Sequence, residues 1–311
     1  MVKTFFSYDE QLNQLQNNKG LTISDIVYAK KMLAKISYYA LINGYKNMFR
    51  HSPSGKYLRG VTFEEIVAFY YFDNELRLLF FKYILHIERQ MKSLLSYHFC
   101  EKYGELQSDY LNSNNYNYKP RNQNSINYLI QCLTNAVTLP SKYSYIQHYN
   151  HVYHNVPLWV AMNAITIGNV SAMYQYCTSD IRAKISLNYE SLSEVQLHQF
   201  FRIIASCRNV CAHGERLYSF RVKEAAPDMP LHEKLKIPKK KDEYIFGKKD
   251  LFAVVLGFRY MLDNEDFKSF KTHFIHLINI TLKKCPHLSR DQLFSKMGFP
   301  FNWEKVTHLK K

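Results

Sequence analysis

One uninterrupted stretch restricts the fold more than any other part of the chain. From Phe63 to Tyr97 there is neither Gly nor Pro, the two residues least compatible with a helix interior. Thr62 and Glu65 have the T-x-x-E spacing of a capping box, which marks a helix start. Large apolar residues recur at helical offsets within the stretch: Leu76, Leu79, Phe80, Tyr83, Ile84, Ile87, Met91, Leu94 and Leu95. The sequence therefore predicts one long, or slightly broken, central packing helix.

The rest of the chain also shows helical rather than strand periodicity. Apolar residues at helical spacing predict helices over residues 26–44, 125–137, 159–176, 194–214, 250–262, 266–282 and 290–297. A segment rich in Asn, Ser and Tyr, residues 106–124, predicts a long surface loop. Alternations of β-branched residues are short, and no Asn-Gly or Asp-Gly turn separates two of them. We therefore predict an all-α fold.

No Gly/Ser-rich or Pro-rich linker divides the chain cleanly. We expect residues 1–220 to form a helical body. Residues 221–249 contain several prolines and a run of lysines, and they predict a basic linker or flap. Residues 250–311 are expected to form a C-terminal helical segment that packs on the body.

The charge balance favours polyanionic partners. Lys and Arg number 41 against 26 Asp and Glu, which gives a net charge of +15 at pH 7. Nucleic acid and an anionic membrane both fit this excess. No run approaches the roughly 20 apolar residues that span a bilayer, and the first residues contain no apolar segment typical of a secretory signal. We therefore expect a cytoplasmic protein with no membrane partner, and RNA as the polyanion.

The predicted helix over residues 194–214 carries a polar face suited to chemistry. Ser191 and Glu194 have capping-box spacing and predict its start. Five polar residues recur along one side of this helix and the turn after it: His198, Arg202, Asn209, His213 and Arg216. Arg208 lies about 100° from Asn209, at the edge of the stripe. An arginine, an amide and a histidine are thus expected near one helix end.

This stretch resembles two related families. Arg208-Asn209-x-x-x-His213 is similar to the R-x4-6-H motif of HEPN-domain ribonucleases. The longer run from Arg208 to His213, followed by Arg216-Leu217, resembles the signature of the Abi family, the AbiD- and AbiF-like abortive-infection proteins of phage defence. Further blocks in the same order also resemble this family: Ile36-Ser37-Tyr38-Tyr39, Phe72-Asp73-x-x-Leu76-Arg77, Pro157-Leu158-Trp159 and Met297-Gly298-Phe299-Pro300-x-Asn302-Trp303.

The resemblance implies a HEPN-like helical bundle with additional N- and C-terminal helices. It also implies an endoribonuclease that needs no metal or other cofactor, leaves 2′,3′-cyclic phosphate ends, and pairs as a homodimer so that two motifs form one site. In such a site His213 would act as acid or base, because imidazole exchanges protons near neutral pH. Arg208 would hold phosphate oxygens with its planar fork, and Asn209 would orient the imidazole or contact phosphate.

Other basic residues are candidates for RNA contacts. We assign phosphate binding to Arg202 and Arg216, which share the stripe, and to the run Lys239-Lys240-Lys241. The lysine run is equally typical of a solvated segment. His148, His151 and His154 recur every third residue, but such steps converge poorly on one metal ion, so a polar surface or RNA contact is favoured.

Several alternatives remain open at this point. An isolated R-x4-H pair also occurs as a solvated or capping pair, and Asn209 also suits a helix end. Glu88-Arg89 on the central helix fits an intrahelical or buried ion pair, or support of the active site. The alternative function is a non-catalytic RNA-binding protein that holds a structured small RNA or regulates a partner. A purely protein-interacting regulator is the third possibility.

Overall fold

The computed structural model describes residues 4–51 and 54–310. Residues 1–3 of the predicted body and Lys311 of the predicted C-terminal segment lie outside the described residues. The α-helices are α1 Tyr8–Asn13, α2 Ile26–Ile36, α3 Phe63–Tyr103, α4 Gln107–Tyr110, α5 Gln123–Val137, α6 Ser144–Tyr153, α7 Leu158–Ala161, α8 Ile167–Tyr176, α9 Ser179–Ser186, α10 Glu194–Ala212, α11 Pro230–Lys234, α12 Leu251–Met261, α13 Asn264–Lys284 and α14 Arg290–Met297.

Shorter elements complete the described chain. Two π-helical segments span Gln14–Asn18 and Tyr39–Asn43, and 3-10 turns span Lys46–Met48, Ser113–Asn115, Pro120–Asn122 and Trp303–Thr307. The strands β1, Lys239–Lys240, and β2, Glu243–Tyr244, form one antiparallel hairpin. The fold is therefore all-α, as predicted.

The predicted central helix is α3, and it is continuous over 41 residues. Its capping box is the predicted one: the Thr62 hydroxyl accepts from the Glu65 backbone N–H, and the Glu65 carboxylate accepts from the Thr62 N–H. At about 1.5 Å per residue, the helix is about 60 Å long. Helices α7, α9, α10 and α13 all pack along it, so α3 is the element shared by most of the core. Among the described helices, none combines the length and apolar character that crossing a membrane requires.

Helix α10 begins at Glu194, as predicted, but the predicted capping residue is wrong. Ser193, not Ser191, caps the helix: its hydroxyl accepts from the Gln196 N–H, and the Gln196 side chain accepts from the Ser193 N–H. Ser191 has a φ of +64°, whereas an N-cap requires extended backbone. Ser193 and Gln196 have the same S-x-x-E/Q spacing as the predicted pair, so the pattern alone fitted two registers.

Three other predicted elements also differ. The helix predicted over residues 26–44 ends at Ile36, because Ser37 has a φ of +74°, and a separate π-helical segment follows at Tyr39–Asn43. The predicted helix over residues 159–176 is divided into α7 and α8. The predicted surface loop over residues 106–124 contains α4 and two tyrosines that are almost completely buried. The Tyr110 hydroxyl donates to the Val156 carbonyl at 2.7 Å, and the Tyr116 hydroxyl donates to the Tyr110 carbonyl at 2.8 Å. These hydrogen bonds hold the segment against the body.

Residues 221–249, for which a basic linker or flap was predicted, contain α11 and the β1–β2 hairpin. Lys241 and Asp242 at the hairpin turn both have positive φ, as type I′ turns require. Leu231 and Leu235 are buried in the core, and His232 is within 3.0 Å of the Gly247 carbonyl. The segment is therefore joined to the core through α11.

The buried carboxylate of Asp250 connects this segment to α12. It caps α12 by accepting from the Ala253 N–H, and it also accepts from the Gly247 N–H, each at 3.1 Å. Burial raises the pKa of Asp250 to about 7, although the backbone donors and Arg221 oppose the rise. The folded protein consequently holds this proton at pH values where the unfolded chain has released it.

We expect Asp250 to reduce stability as pH rises. The pKa of Asp250 is higher in the folded protein than the value of about 3.9 in the unfolded chain. Its contribution to the free energy of unfolding is therefore complete below about pH 3.9 and is lost as the pH rises toward 7. Asp250→Asn stays neutral and keeps a capping oxygen. From pH 5 to pH 8, its free energy of unfolding should rise relative to wild type by about 2.5 kcal/mol. Urea denaturation at both pH values measures this, and parallel pH profiles would contradict it.

Candidate active site

The exposed stripe of α10 carries three of the predicted site residues. Arg202, Asn209 and His213 are all exposed, and His213 is the residue that caps the C-terminus. Gly214 follows with a φ of +67°, and the Glu215 N–H donates to the Val210 carbonyl at 3.0 Å, which is a Schellman ending. The His213 imidazole has no hydrogen-bond partner among the described residues. It is therefore free to contact a ligand.

Arg208 lies on a different side of the same helix. Its Nε is 4.0 Å from a carboxylate oxygen of Glu88 on α3, and its guanidinium carbon is 5.8 Å from the centre of the Phe81 ring. Five helical residues correspond to about 500°, so Arg208 and His213 point about 140° apart around the axis. One copy of the chain thus brings Asn209 and His213 to one face but does not bring the guanidinium to the imidazole.

Glu88 is a site neighbour that the sequence offered only as an alternative. Its other oxygen accepts from Lys92 at 2.8 Å, so its intrahelical partner is Lys92, whereas Arg89 is exposed. The Arg208 Nε and the facing Glu88 oxygen are both buried, and neither has a hydrogen-bond partner in the part of the chain that the structure describes. Glu88 is therefore placed to orient Arg208.

The loop after His213 is held by a buried carboxylate on α3. Asp73 is fully buried and accepts from the backbone N–H groups of Leu217 at 3.2 Å and Tyr218 at 2.7 Å. It also accepts from the Tyr45 hydroxyl and from Arg77, both at 2.8 Å. Arg77 in turn donates to the carbonyl of Glu215 at 3.1 Å. This network fixes the chain within two to five residues of His213.

The Asp73–Arg77 pair was visible in the sequence only as part of a family block. Its i, i+4 spacing predicts an ion pair on one helix, and that pair is present. Its contact with Leu217 and Tyr218 crosses more than 140 residues of sequence. Helical periodicity carries no information about such a partner. The role of the pair in positioning the candidate site therefore appears only in the structure.

Two cavities flank the last turns of α10. The first, of about 580 Å³, includes Arg216 and Arg221 in its lining. The second, of about 500 Å³, includes Arg202, Asn209 and Lys223, and again Arg221. The structure thus brings Arg202 together with Asn209, whereas Arg216 lies in the other cavity. Arg221, which the sequence did not single out, is common to both.

The remaining predicted contacts lie elsewhere. Lys239, Lys240 and Lys241 lie on the exposed β1–β2 hairpin and line neither of these cavities. The ammonium group of Lys239 lies 4.5 Å from the centre of the Tyr244 ring. On α10 itself, Arg202 is ion-paired with Glu224. Glu224 therefore partly neutralises the charge of Arg202, whereas the side chains of the lysine run are exposed to solvent.

His198, on the same stripe, has a different environment from His213. It is half-buried near Tyr174. Burial, together with the nearby charges of Arg202 and Arg182, lowers its pKa to about 4. The imidazole is consequently neutral at physiological pH. Its buried Nε2 has no hydrogen-bond partner in the described part of the chain.

The histidines of α6 do not form a compact group. The His148 ring lies 5.8 Å from the rings of Tyr149 and Tyr153, in edge-on contacts. His151 and His154 are exposed. Within residues 4–51 and 54–310, no group of three or more His, Cys, Asp or Glu side chains is arranged to hold a metal ion.

Comparison with known proteins gives one match. The model of a family described as Abi-like protein matches residues 31–219, which is more than half of the chain. The matched region includes α3, α10 and the Asp73-anchored loop. No curated protein and no solved structure matches the chain.

We expect the Asp73 network to determine both stability and local order near His213. Asp73→Ala leaves Arg77, the Tyr45 hydroxyl and two backbone N–H groups without their acceptor, and it should cost about 3–5 kcal/mol of unfolding free energy. Hydrogen exchange at Leu217 and Tyr218 should accelerate most. The matched control is Asp180→Ala, which removes an exposed ion pair with Lys102 and should cost less than about 1 kcal/mol. Equal costs for the two variants would contradict this role.

Proposed function

Because the chain belongs to the Abi-like protein family, we propose that it acts in abortive-infection phage defence as a metal-independent endoribonuclease of HEPN type. Its net charge of +15 favours RNA as the substrate. The observation that carries the proposal is the C-terminal end of α10, where the imidazole of His213 is exposed, has no hydrogen-bond partner among the described residues and follows Asn209 by one turn. The loop beyond it is fixed by Asp73 and Arg77.

The proposed mechanism needs three tasks. A base removes the proton of the ribose 2′-hydroxyl, which then attacks the adjacent phosphorus and expels the 5′-oxygen, leaving a 2′,3′-cyclic phosphate. His213 takes this proton or protonates the leaving oxygen, which is typically worth about 10²- to 10⁴-fold in rate. Arg208 stabilises the negative charge on the phosphate, with Glu88 and Phe81 supporting its side chain. Asn209 contacts phosphate or orients the imidazole.

The geometry supports a site shared between two chains. Arg208 and His213 point about 140° apart on one helix, and a single histidine would have to serve as both acid and base. Pairing of two α10 helices in a homodimer supplies a second histidine and a second arginine. The α3 surface beside Arg208 is suited to such a contact, because Leu78 is 63% exposed one turn before Phe81.

A second candidate function is RNA binding without cleavage. The separation of Arg208 from His213 within one chain favours it if the protein stays monomeric. In that case the basic cavities beside α10 would bind phosphates of a structured small RNA, and the affinity for RNA would fall steeply as the salt concentration rises. Cleavage would be absent while binding remained.

We expect the pure protein to cleave RNA in the presence of EDTA and to leave 2′,3′-cyclic phosphate ends. His213→Ala and Arg208→Ala should each reduce the rate by about 10²-fold or more. The matched controls are His276→Ala and Arg121→Ala, which replace exposed residues elsewhere. Product ends are identified by mass spectrometry. Equal cleavage by all variants would rule out this site, and loss of wild-type cleavage in EDTA would rule out the metal-independent mechanism.

A mixing experiment distinguishes a shared site from a site within one chain. Wild-type and His213→Ala chains are mixed in equal amounts, allowed to exchange subunits, and assayed at constant total protein. If both histidines of a dimer are required, activity should fall to about a quarter, because random pairing leaves about one wild-type dimer in four. A site within one chain predicts about half. Light scattering should show a dimer, and a monomeric mass would contradict the shared site.

A further inference from the structure

A cavity of about 580 Å³ opens at the C-terminal end of α10, and its lining includes Val210 and Gly214, the residue that follows His213. The loop after α10 contributes Gly214, Arg216 and Ser219 to its lining, and the π-helical segment after α2 contributes Tyr39 and Asn43. Its volume lies within the roughly 300–1,000 Å³ of typical small-molecule sites. The proposed mechanism makes no use of this cavity.

The charges in the cavity favour an anionic ligand. Neither Arg216 nor Arg221 forms an ion pair with any residue that the structure describes, although Glu215 is also in the lining. The Arg221 guanidinium donates to the carbonyls of Phe220 at 2.7 Å and Lys296 at 3.0 Å. These bonds hold it in place, which lowers the entropy cost of binding. Planar guanidinium groups are well suited to phosphate oxygens.

The mouth of the cavity also presents an aromatic ring. Tyr39 is 76% exposed, and its ring contacts no other aromatic ring in the described part of the chain. Tyr70 is half-buried deeper in the lining, where its ring lies edge-on to Tyr45 at 5.5 Å. An exposed ring beside a cationic cavity is the arrangement by which proteins stack a nucleobase and hold its phosphate.

We infer that this cavity binds one nucleotide of a single-stranded RNA, with the base stacked on Tyr39 and a phosphate between Arg216 and Arg221. The inference rests on the proposed function and extends it, because Gly214 lies in the lining next to His213. The cavity therefore receives a nucleotide close to the bond that His213 would cleave. Arg221 also lines the second cavity, with Arg202 and Asn209, so the strand continues along α10 from one cavity to the other.

The test uses a fluorescent RNA oligomer whose riboses are all 2′-O-methylated, so that it binds without being cleaved. Tyr39→Ala should weaken binding about fivefold to a hundredfold, whereas Tyr39→Phe keeps the ring and should bind like wild type. Arg216→Gln should reduce the slope of log affinity against log salt by about 0.7. The matched controls are Tyr128→Ala, which removes a tyrosine that is 66% exposed on α5, and Arg121→Gln; neither residue lines this cavity.

Cleavage of unmodified RNA supplies a second measurement. Tyr39→Ala should raise KM with little change in kcat, because Tyr39 binds the strand without touching the reacting atoms. If the wild type binds or cleaves RNA and Tyr39→Ala behaves like Tyr128→Ala in both assays, the nucleotide site is refuted and the proposed function stands. If the wild type neither binds nor cleaves RNA, both are refuted. Equally tight binding of a free mononucleotide, lost in Tyr39→Ala, would replace the RNA strand with a free nucleotide as the ligand.

Discussion

The buried carboxylate of Asp73 is the interaction on which the region around His213 depends. It joins three separate parts of the chain, because its donors come from α3, from Tyr45 and from the loop after α10. Burial raises its pKa, and the hydrogen bonds from Tyr218 and the charge of Arg77 oppose that rise. A buried carboxylate of this kind is costly unless every donor is in place, so the network favours the observed position of the loop.

A helix imposes a further restriction on the candidate site. Arg208 and His213 share α10, so the angle between them is set by backbone geometry and no side-chain rotation removes it. The guanidinium faces Glu88 and Phe81 on α3, while the imidazole faces solvent at the helix end. A rigid helix therefore separates the two groups within a chain and presents each to a second molecule. The position of the motif on its helix is thus the reason for proposing a shared site.

The features that could be predicted are those that depend on residues close together in the sequence. The absence of Gly and Pro and the Thr62 cap identified α3, and apolar spacing identified α10 with its polar face. The capping residue of α10 was misassigned because Ser191 and Ser193 both match the capping pattern, and only the positive φ of Ser191 separates them. The buried tyrosines of residues 106–124 and the contact of Arg208 with Glu88 depend on distant segments. Periodicity identifies a buried face but not the residue that covers it.

Net charge likewise indicates a class of ligand without identifying the residues that bind it. An excess of 15 positive charges attracts polyanions in general, but it does not locate where a polyanion would be bound. Arg202 was predicted to bind phosphate, yet Glu224 already pairs with it. Arg221 was not predicted, yet two carbonyls orient it and no described carboxylate pairs with it. An anion is held best by a cation that is both unpaired and already positioned. Whether a cation is unpaired and already positioned depends on its tertiary neighbours. Arg221 can therefore be distinguished from the many other basic residues of the chain only once the fold is known.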